Sequence, residues 1–240
     1  MDQRCVQMRK KHQIPQTFEE IKQAAEAGEA DSQCYLGICY ETGQGVPQDY
    51  EAAVKWFRRA ADQGNELAQC HLGVCYQIGR GVPEEHGLAA KWFREAAEQG
   101  DAAAQFNLGV CYETGQGVPQ NYAEAFKWYL AAAEQGEPQA QFNVGVYYET
   151  GQVVPQDFAE AVKWYRAAAE QGCAPAQCNL GLCCETGRGV PLNFAEAVKW
   201  FCKAAQQGDK TAQHNLGLYY ATLESAQAAL AEGNAAEKVK

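Results

Sequence analysis

The chain is short of the residues from which active sites are usually built. Of its 240 residues only two are serine, Ser32 and Ser225, and neither begins a Ser-x-x-Lys sequence. Four are histidine, at 12, 71, 86 and 214, and they are scattered rather than paired. No Cys-x-x-Cys occurs, so the usual spacing of a zinc site is missing. The glycine-rich stretch Gly79-Arg80-Gly81 and its copies lack the lysine and the strand context of a phosphate loop. Positive charge is also scarce: 20 Lys and Arg against 30 Asp and Glu give a net charge of −10. Such a surface disfavours phosphate backbones and anionic lipid. No apolar run approaches the roughly 18 residues of a membrane span, and the polar start, Met1 to His12, lacks the apolar run of a signal peptide. These absences predict a soluble, cytoplasmic, monomeric protein without catalytic residues, cofactor or metal, and without nucleic acid or membrane as a partner.

What is present is a period. Tryptophans stand at 56, 92, 128, 164 and 200, each 36 residues after the last. Gly37, Gly73, Gly109, Gly145, Gly181 and Gly217 keep the same step, as do prolines 47, 83, 119, 155 and 191. A third series is formed by glycines 28, 64, 100, 136, 172 and 208. A fixed period of this length means one small unit stacked on copies of itself.

The third copy shows the unit. Ala103 to Thr114 is apolar on nearly all sides, as a helix sandwiched between neighbours would be. Gly115 ends it, and Pro119 stops any continuation. Asn121 can cap a second helix, Tyr122 to Gln135, whose Tyr122, Ala125, Phe126, Tyr129, Ala132 and Ala133 form one helical stripe. Gly136 closes the copy. The unit is an αα-hairpin, and the fold class is an all-α solenoid of such hairpins.

Thr17 to Ala27 reads as a second helix without its partner, with Phe18 and Ile21 in the columns of Val54 and Phe57. At the other end Leu223 and Ser225 replace the turn glycines, which predicts that Ala221 to Glu232 runs on as a capping helix. The expected layout is a frayed segment 1–15, a half-repeat cap 16–28, five repeats over 29–208, a half repeat with its capping helix over 209–232 and a disordered tail 233–240.

The third copy's Ala104, Leu108-Gly109, Tyr112, Gly115, Gly117-Val118-Pro119, Ala125, Trp128-Tyr129, Ala132-Ala133 and Gly136 resemble the Sel1-like repeat, a subclass of the tetratricopeptide superfamily. The resemblance recurs through residues 16 to about 220. It implies a right-handed superhelix whose first helices line a concave surface, and a protein that acts as an adaptor or scaffold. Two alternatives come with the same resemblance. One is a β-lactamase-like hydrolase of the family's cysteine-rich branch, for which the Ser-x-x-Lys residues are missing. The other is a secreted immunoglobulin- or host-protein-binding member, which would need a signal peptide.

The eleven cysteines do not suggest a disulfide framework. Cys34, Cys70 and Cys178 share a column with Phe106, Phe142 and His214, and Cys39, Cys75, Cys111 and Cys183 share one with Tyr147 and Tyr219. Cysteine alternating with aromatics behaves as a small hydrophobe. The pairs 34/39, 70/75 and 178/183 lie i, i+5 on one helix, with Cα atoms roughly 8–9 Å apart and beyond disulfide reach. Cys173 and Cys202 fall outside the core columns, which leaves two readings for them, reactive surface thiols or structural cysteines like the rest.

Recognition must then lie on the first helices. By resemblance to tetratricopeptide arrays, columns at i, i+4 and i+7 face the groove: Cys34, Cys70, Phe106, Phe142, Cys178 and His214; Ile38, Val74, Val110, Val146, Leu182 and Leu218; Glu41, Gln77, Glu113, Glu149 and Glu185. The candidate partner-binding residues are Phe106, Val110, Glu113, Phe142, Val146, Glu149, Leu182 and Glu185. An apolar floor beside an acidic edge fits a protein or peptide segment with hydrophobic anchors and basic flanks. A second reading stays open, in which the first two columns pack against the next hairpin and only the glutamates are exposed. Glutamines 33, 69, 105, 141, 177 and 213 form an unbroken column expected to satisfy interhelical backbone groups. Two departures break the symmetry. Val153 replaces the second turn glycine, which would strain or rebuild that turn if the position needs positive φ. His86, Gly87 and Ala90 thin the second copy and weaken its second helix.

Overall fold

The computed structural model describes residues 17–222. The expected N-terminal frayed segment, most of the C-terminal capping helix and the tail lie outside them. The chain divides into two compact units, Met1–Gln135 and Gly136–Lys240.

In the first unit the half repeat is α1 (Phe18–Glu26), and three hairpins follow: α2 (Ala30–Thr42) with α3 (Tyr50–Ala61), α4 (Glu66–Ile78) with α5 (His86–Glu98), and α6 (Ala102–Thr114) with α7 (Tyr122–Glu134). The second unit holds α8 (Pro138–Thr150) with α9 (Phe158–Glu170), α10 (Ala174–Thr186) with α11 (Phe194–Gln206), and a helix α12 over 210–222. These five pairs are repeats one to five. From α1 to α7 in the first unit and from α8 to α11 in the second, each helix packs on its neighbour in sequence, the serial stacking of an all-α repeat solenoid. The first helix of repeat one is enclosed, as its all-round apolarity requires: in α2 every residue from Ser32 to Cys39 is buried.

The turn inside a hairpin is set by two glycines. Gly115 caps α6 in the left-handed region at φ 75°, with its N–H on the Cys111 carbonyl at 2.9 Å. Gly117 is also left-handed, and a Cβ there would fall 2.0 Å from the His86 carbonyl oxygen at the start of α5. The second glycine thus lets one hairpin's turn seat on the previous hairpin. Gln120 and Asn121 tie the loop back to Glu113 and Tyr112 carbonyls, and the Asn121 side chain then caps α7. Val153 leaves these bonds in place: Gly151 keeps φ 71°, Gln156 donates to the Glu149 carbonyl at 2.7 Å, and Asp157 caps α9. Of the strain or rebuilding that positive φ at Val153 would bring, rebuilding is not seen in the turn's hydrogen bonds.

The glycine of the Leu-Gly pair (Val144-Gly145 in repeat four) has a different reason. A Cβ on Gly37, Gly73, Gly109, Gly145 or Gly181 would lie 2.6 Å from the ring of Phe57, Phe93, Tyr129, Tyr165 or Phe201. Each ring is buried against the bare backbone of its own first helix, and that contact closes every hairpin.

Successive hairpins are joined by an amide ladder. In the first unit Gln33, Gln69 and Gln105 donate from Nε2 to the Ala25, Ala61 and Ala97 carbonyls at 3.0, 3.3 and 3.2 Å. Their Oε1 atoms accept from Gln63, Gln99 and Gln135 at 2.7, 2.7 and 2.8 Å. The second unit repeats the pattern, Gln177 bonding Ala169 and accepting from Gln207. Both ends of each buried amide are satisfied, which avoids a cost of about 1–3 kcal/mol per unpaired group. The glutamine column behaves as the sequence predicts; its partner series at 63, 99, 135, 171 and 207 was not anticipated.

Candidate functional site

In the first unit the candidate residues Phe106, Val110 and Glu113 lie on α6, and all three are half-buried. In the second unit Phe142, Val146 and Glu149 on α8, and Leu182 and Glu185 on α10, are half-buried as well. At these eight positions the apolar side chains retain some exposure, and the glutamates are not fully solvated. Elsewhere in the same columns Cys34, Cys70 and Cys178 are buried, whereas His214 and Leu218 on α12 are exposed.

Glu113, Glu149 and Glu41 of this column are held by side-chain partners. Glu113 accepts from the Tyr129 hydroxyl at 2.8 Å, and Glu149 accepts from the Tyr165 hydroxyl. The rings of Phe106 and Phe142 lie tilted at 5.7 and 5.9 Å from those tyrosines. Burial, followed by the bond to Glu149, pushes the Tyr165 hydroxyl far above its ordinary pKa, so it remains a donor. In repeat one the ring is Phe57, which has no hydroxyl, and Glu41 is met from the next repeat instead. His71 Nδ1 lies 3.3 Å and Arg80 3.7 Å from its carboxylate, and the His71 ring stacks on Phe57 at 4.8 Å. Burial acts to raise the Glu41 carboxyl, but the His71 bond and the charges of His71 and Arg80 outweigh it and hold the carboxyl below its usual value.

The tyrosines are the residues the sequence reading missed. The available signal was that Phe gives way to Tyr in the glycine-facing column only in repeats three and four, where Cys also gives way to Phe.

The thiols offer no reactive centre in the core. No disulfide is formed among the ten described cysteines. Burial pushes Cys75 and Cys178 up to about 12, and Cys111 and Cys183 up to about 11, which keeps them as thiols. Cys173, a candidate for a reactive surface thiol, is in fact buried at 6% exposure. It occupies the N-cap of α10, and burial raises its pKa too. Cys202 is half-buried and lines an open groove with Trp200 and Lys203. Among the described residues no three His, Cys, Asp or Glu side chains converge as a metal-binding group, and no helix is long and apolar enough to cross a membrane.

The repeating geometry matches a known family. The Sel1 repeat is found five times in succession, at 30–65, 67–101, 102–137, 138–173 and 174–209. The chain belongs to the Sel1 repeat family. A Sel1 repeat protein from Oxalobacter formigenes is 36% identical with a TM-score of 0.77, over 84% of this chain and 58% of that one. A protective antigen of uropathogenic Escherichia coli displaying the same repeat fold is 34% identical with a TM-score of 0.71, over 85% of this chain and 51% of that one. The chain therefore spans little more than half the length of these relatives. The immunity protein PA5088 of Pseudomonas aeruginosa, 19% identical with a TM-score of 0.53 over 81% of this chain and 74% of its own, shares the fold. No curated protein gives a significant match. Sel1 repeat proteins generally mediate protein–protein interaction and are generally non-catalytic.

Proposed function

We propose that this chain is a non-catalytic adaptor that holds a segment of a partner protein along its first helices. One observation carries the reading. The glycines, buried rings, alanines and glutamine ladder are consumed in stacking, whereas Phe106, Val110 and Glu113 in one unit, and Phe142, Val146, Glu149, Leu182 and Glu185 in the other, stay half-buried. Apolar surface with fixed carboxylates beside it suits a segment that brings hydrophobic anchors and flanking Lys or Arg. The overall charge of −10 supports a basic partner by steering its approach. The proposal includes a cytoplasmic, monomeric protein.

The test is affinity capture by the parent chain and by a chain carrying Glu113→Lys, Glu149→Lys and Glu185→Lys, with circular dichroism to verify that both are folded. Loss of the captured proteins from the reversed chain is expected. If a folded reversed chain captures the same proteins equally well, the glutamates are not the recognition surface.

A further inference from the structure

Two repeats depart from the others in concert. Repeats one, two and five carry Cys34, Cys70 and Cys178 in the first column and Phe57, Phe93 and Phe201 against the glycine; repeats three and four carry Phe106 with Tyr129 and Phe142 with Tyr165. Stacking does not demand the exchange, because the glycine-to-ring approach is 2.6 Å in all five. Its effects are at the surface. The cysteines are 0%, 6% and 3% exposed, whereas the phenylalanines are half-buried and present part of an aromatic ring. The added hydroxyls bond Glu113 and Glu149, tying each carboxylate to the tyrosine that the phenylalanine ring leans on. In the second unit Asn179 bonds the Tyr165 hydroxyl in turn, so the orientation of Glu149 is set from two helices.

Repeat one shows which chemistry this column takes. Glu41 is met by the guanidinium of Arg80 and by the His71 ring, which lies flat on Phe57 with planes 11° apart. A planar nitrogen donor resting on an aromatic ring and paired with the column's carboxylate is there supplied from within the chain. In repeat four the residue in place of His71 is Asn179, which bonds Tyr165, while Arg188 lies over the Phe158 ring at 5.7 Å just as Arg80 lies over Tyr50 at 5.0 Å.

The geometry points to Phe142, Tyr165 and Glu149, and separately Phe106, Tyr129 and Glu113, as two stations that each take an arginine side chain of the partner segment. The guanidinium plane lies on the phenyl face and its N–H fork meets the carboxylate. Arginine suits this better than lysine because its charge is planar, weakly hydrated and forked. The inference rests on the adaptor reading above and narrows it to two repeats and one side chain.

The test uses random peptides of about twelve residues displayed on phage and selected on the full chain. Selected peptides are then titrated against the parent, against Phe142→Cys with Tyr165→Phe, and against Phe106→Cys with Tyr129→Phe. These exchanges import the residues of repeats one, two and five, so the variants are expected to fold, with melting curves as the check. Arginine-containing peptides that bind either exchanged chain about tenfold more weakly, and that weaken again when Arg is replaced by Lys, are the expected result. Peptides that bind the exchanged chains as tightly as the parent overturn the stations and leave the adaptor reading standing. Peptides sensitive to the exchange but lacking arginine overturn the ligand chemistry. A library that yields no binder overturns both.

Discussion

Repeats two and three lie in one unit and use the same frame, yet their second helices begin very differently. In repeat three Asn121 accepts from the Ala123 and Glu124 amides and caps α7. In repeat two the residue in that place, Glu85, makes no side-chain cap to α5. The next residue, His86, pairs with Glu84 through Nε2 at 3.0 Å but keeps Nδ1 buried without a partner. Gly87 follows within the first turn, with nothing within 4 Å of where a Cβ would stand. The glycine-to-ring contact and the glutamine ladder are nonetheless the same in both repeats. Stacking between helices therefore holds the array together, and the quality of an individual helix can fall without loss of the fold.

The most damaging change should be one that strikes where the two repeats meet. Gly117→Ala would place a Cβ 2.0 Å from the His86 carbonyl oxygen while the residue stays at φ 75°. Backbone cannot give way there as a side-chain tip could. The expected loss is about 3 kcal/mol or more, the sum of left-handed strain and overpacking. Urea unfolding would measure it, and a loss below that of Gly136→Ala, where the added Cβ meets open space, would contradict the seating of one hairpin's turn on the last.

Next come Gly73→Ala and Gly109→Ala. Both add a Cβ 2.6 Å from a fully buried ring, Phe93 or Tyr129. Each should cost about 1–3 kcal/mol as the ring is displaced. The two losses should agree, because the frame is shared. Unequal losses would show that the weaker helix of repeat two also relaxes its core.

The fold was legible because every copy repeats the same letters: glycine at the helix ends, proline in the turn, an alanine and aromatic stripe on the second helix. The site was legible only as columns. A first helix that is apolar on nearly all sides does not say which side a neighbour covers, and so both readings of the groove stayed open. The roles of Tyr129 and Tyr165 depend on a hydroxyl reaching a carboxylate 16 residues earlier in sequence. The second glutamine of each ladder reaches 30 residues back. Such contacts arise from how hairpins stack, and helical periodicity does not contain them. The burial of Cys173 has a related cause: it sits outside the helix columns, at the N-cap of α10, where its Sγ lies 4.0 Å from Gln139 Oε1 of the preceding repeat.

The helix-start difference yields a smaller and more selective effect. Amides of α5 should exchange with deuterium faster than those of α7, since α5 lacks a cap and carries an exposed glycine in its first turn. Glu85→Asp should add about 1 kcal/mol of capping, and Gly87→Ala a further 0.5–1 kcal/mol or so of helix propensity. Together they should bring α5 close to α7 in exchange rate. Equal rates in the parent chain would remove the basis of the comparison.

The smallest effect contrasts the two junctions of repeat two. At its junction with repeat one, Glu41 faces His71 and Arg80; at its junction with repeat three the column holds Gln77, which does not titrate. Because His71 and Arg80 hold the Glu41 carboxyl below its ordinary 4.5 in the folded chain, the unfolded chain binds the proton more readily. The stability this contributes is complete above pH 4.5 and is lost as pH falls through the lower, folded value. Glu41→Gln should therefore leave a chain slightly less stable at neutral pH, by no more than about 1 kcal/mol. The two chains should converge on acidification, because the parent then loses what the variant never had. Melting temperatures taken from pH 7 down to about 3 would read this as a gap that closes only at the acid end, and a gap that stayed constant with pH would show that Glu41 acts there through its hydrogen bonds and not through its charge.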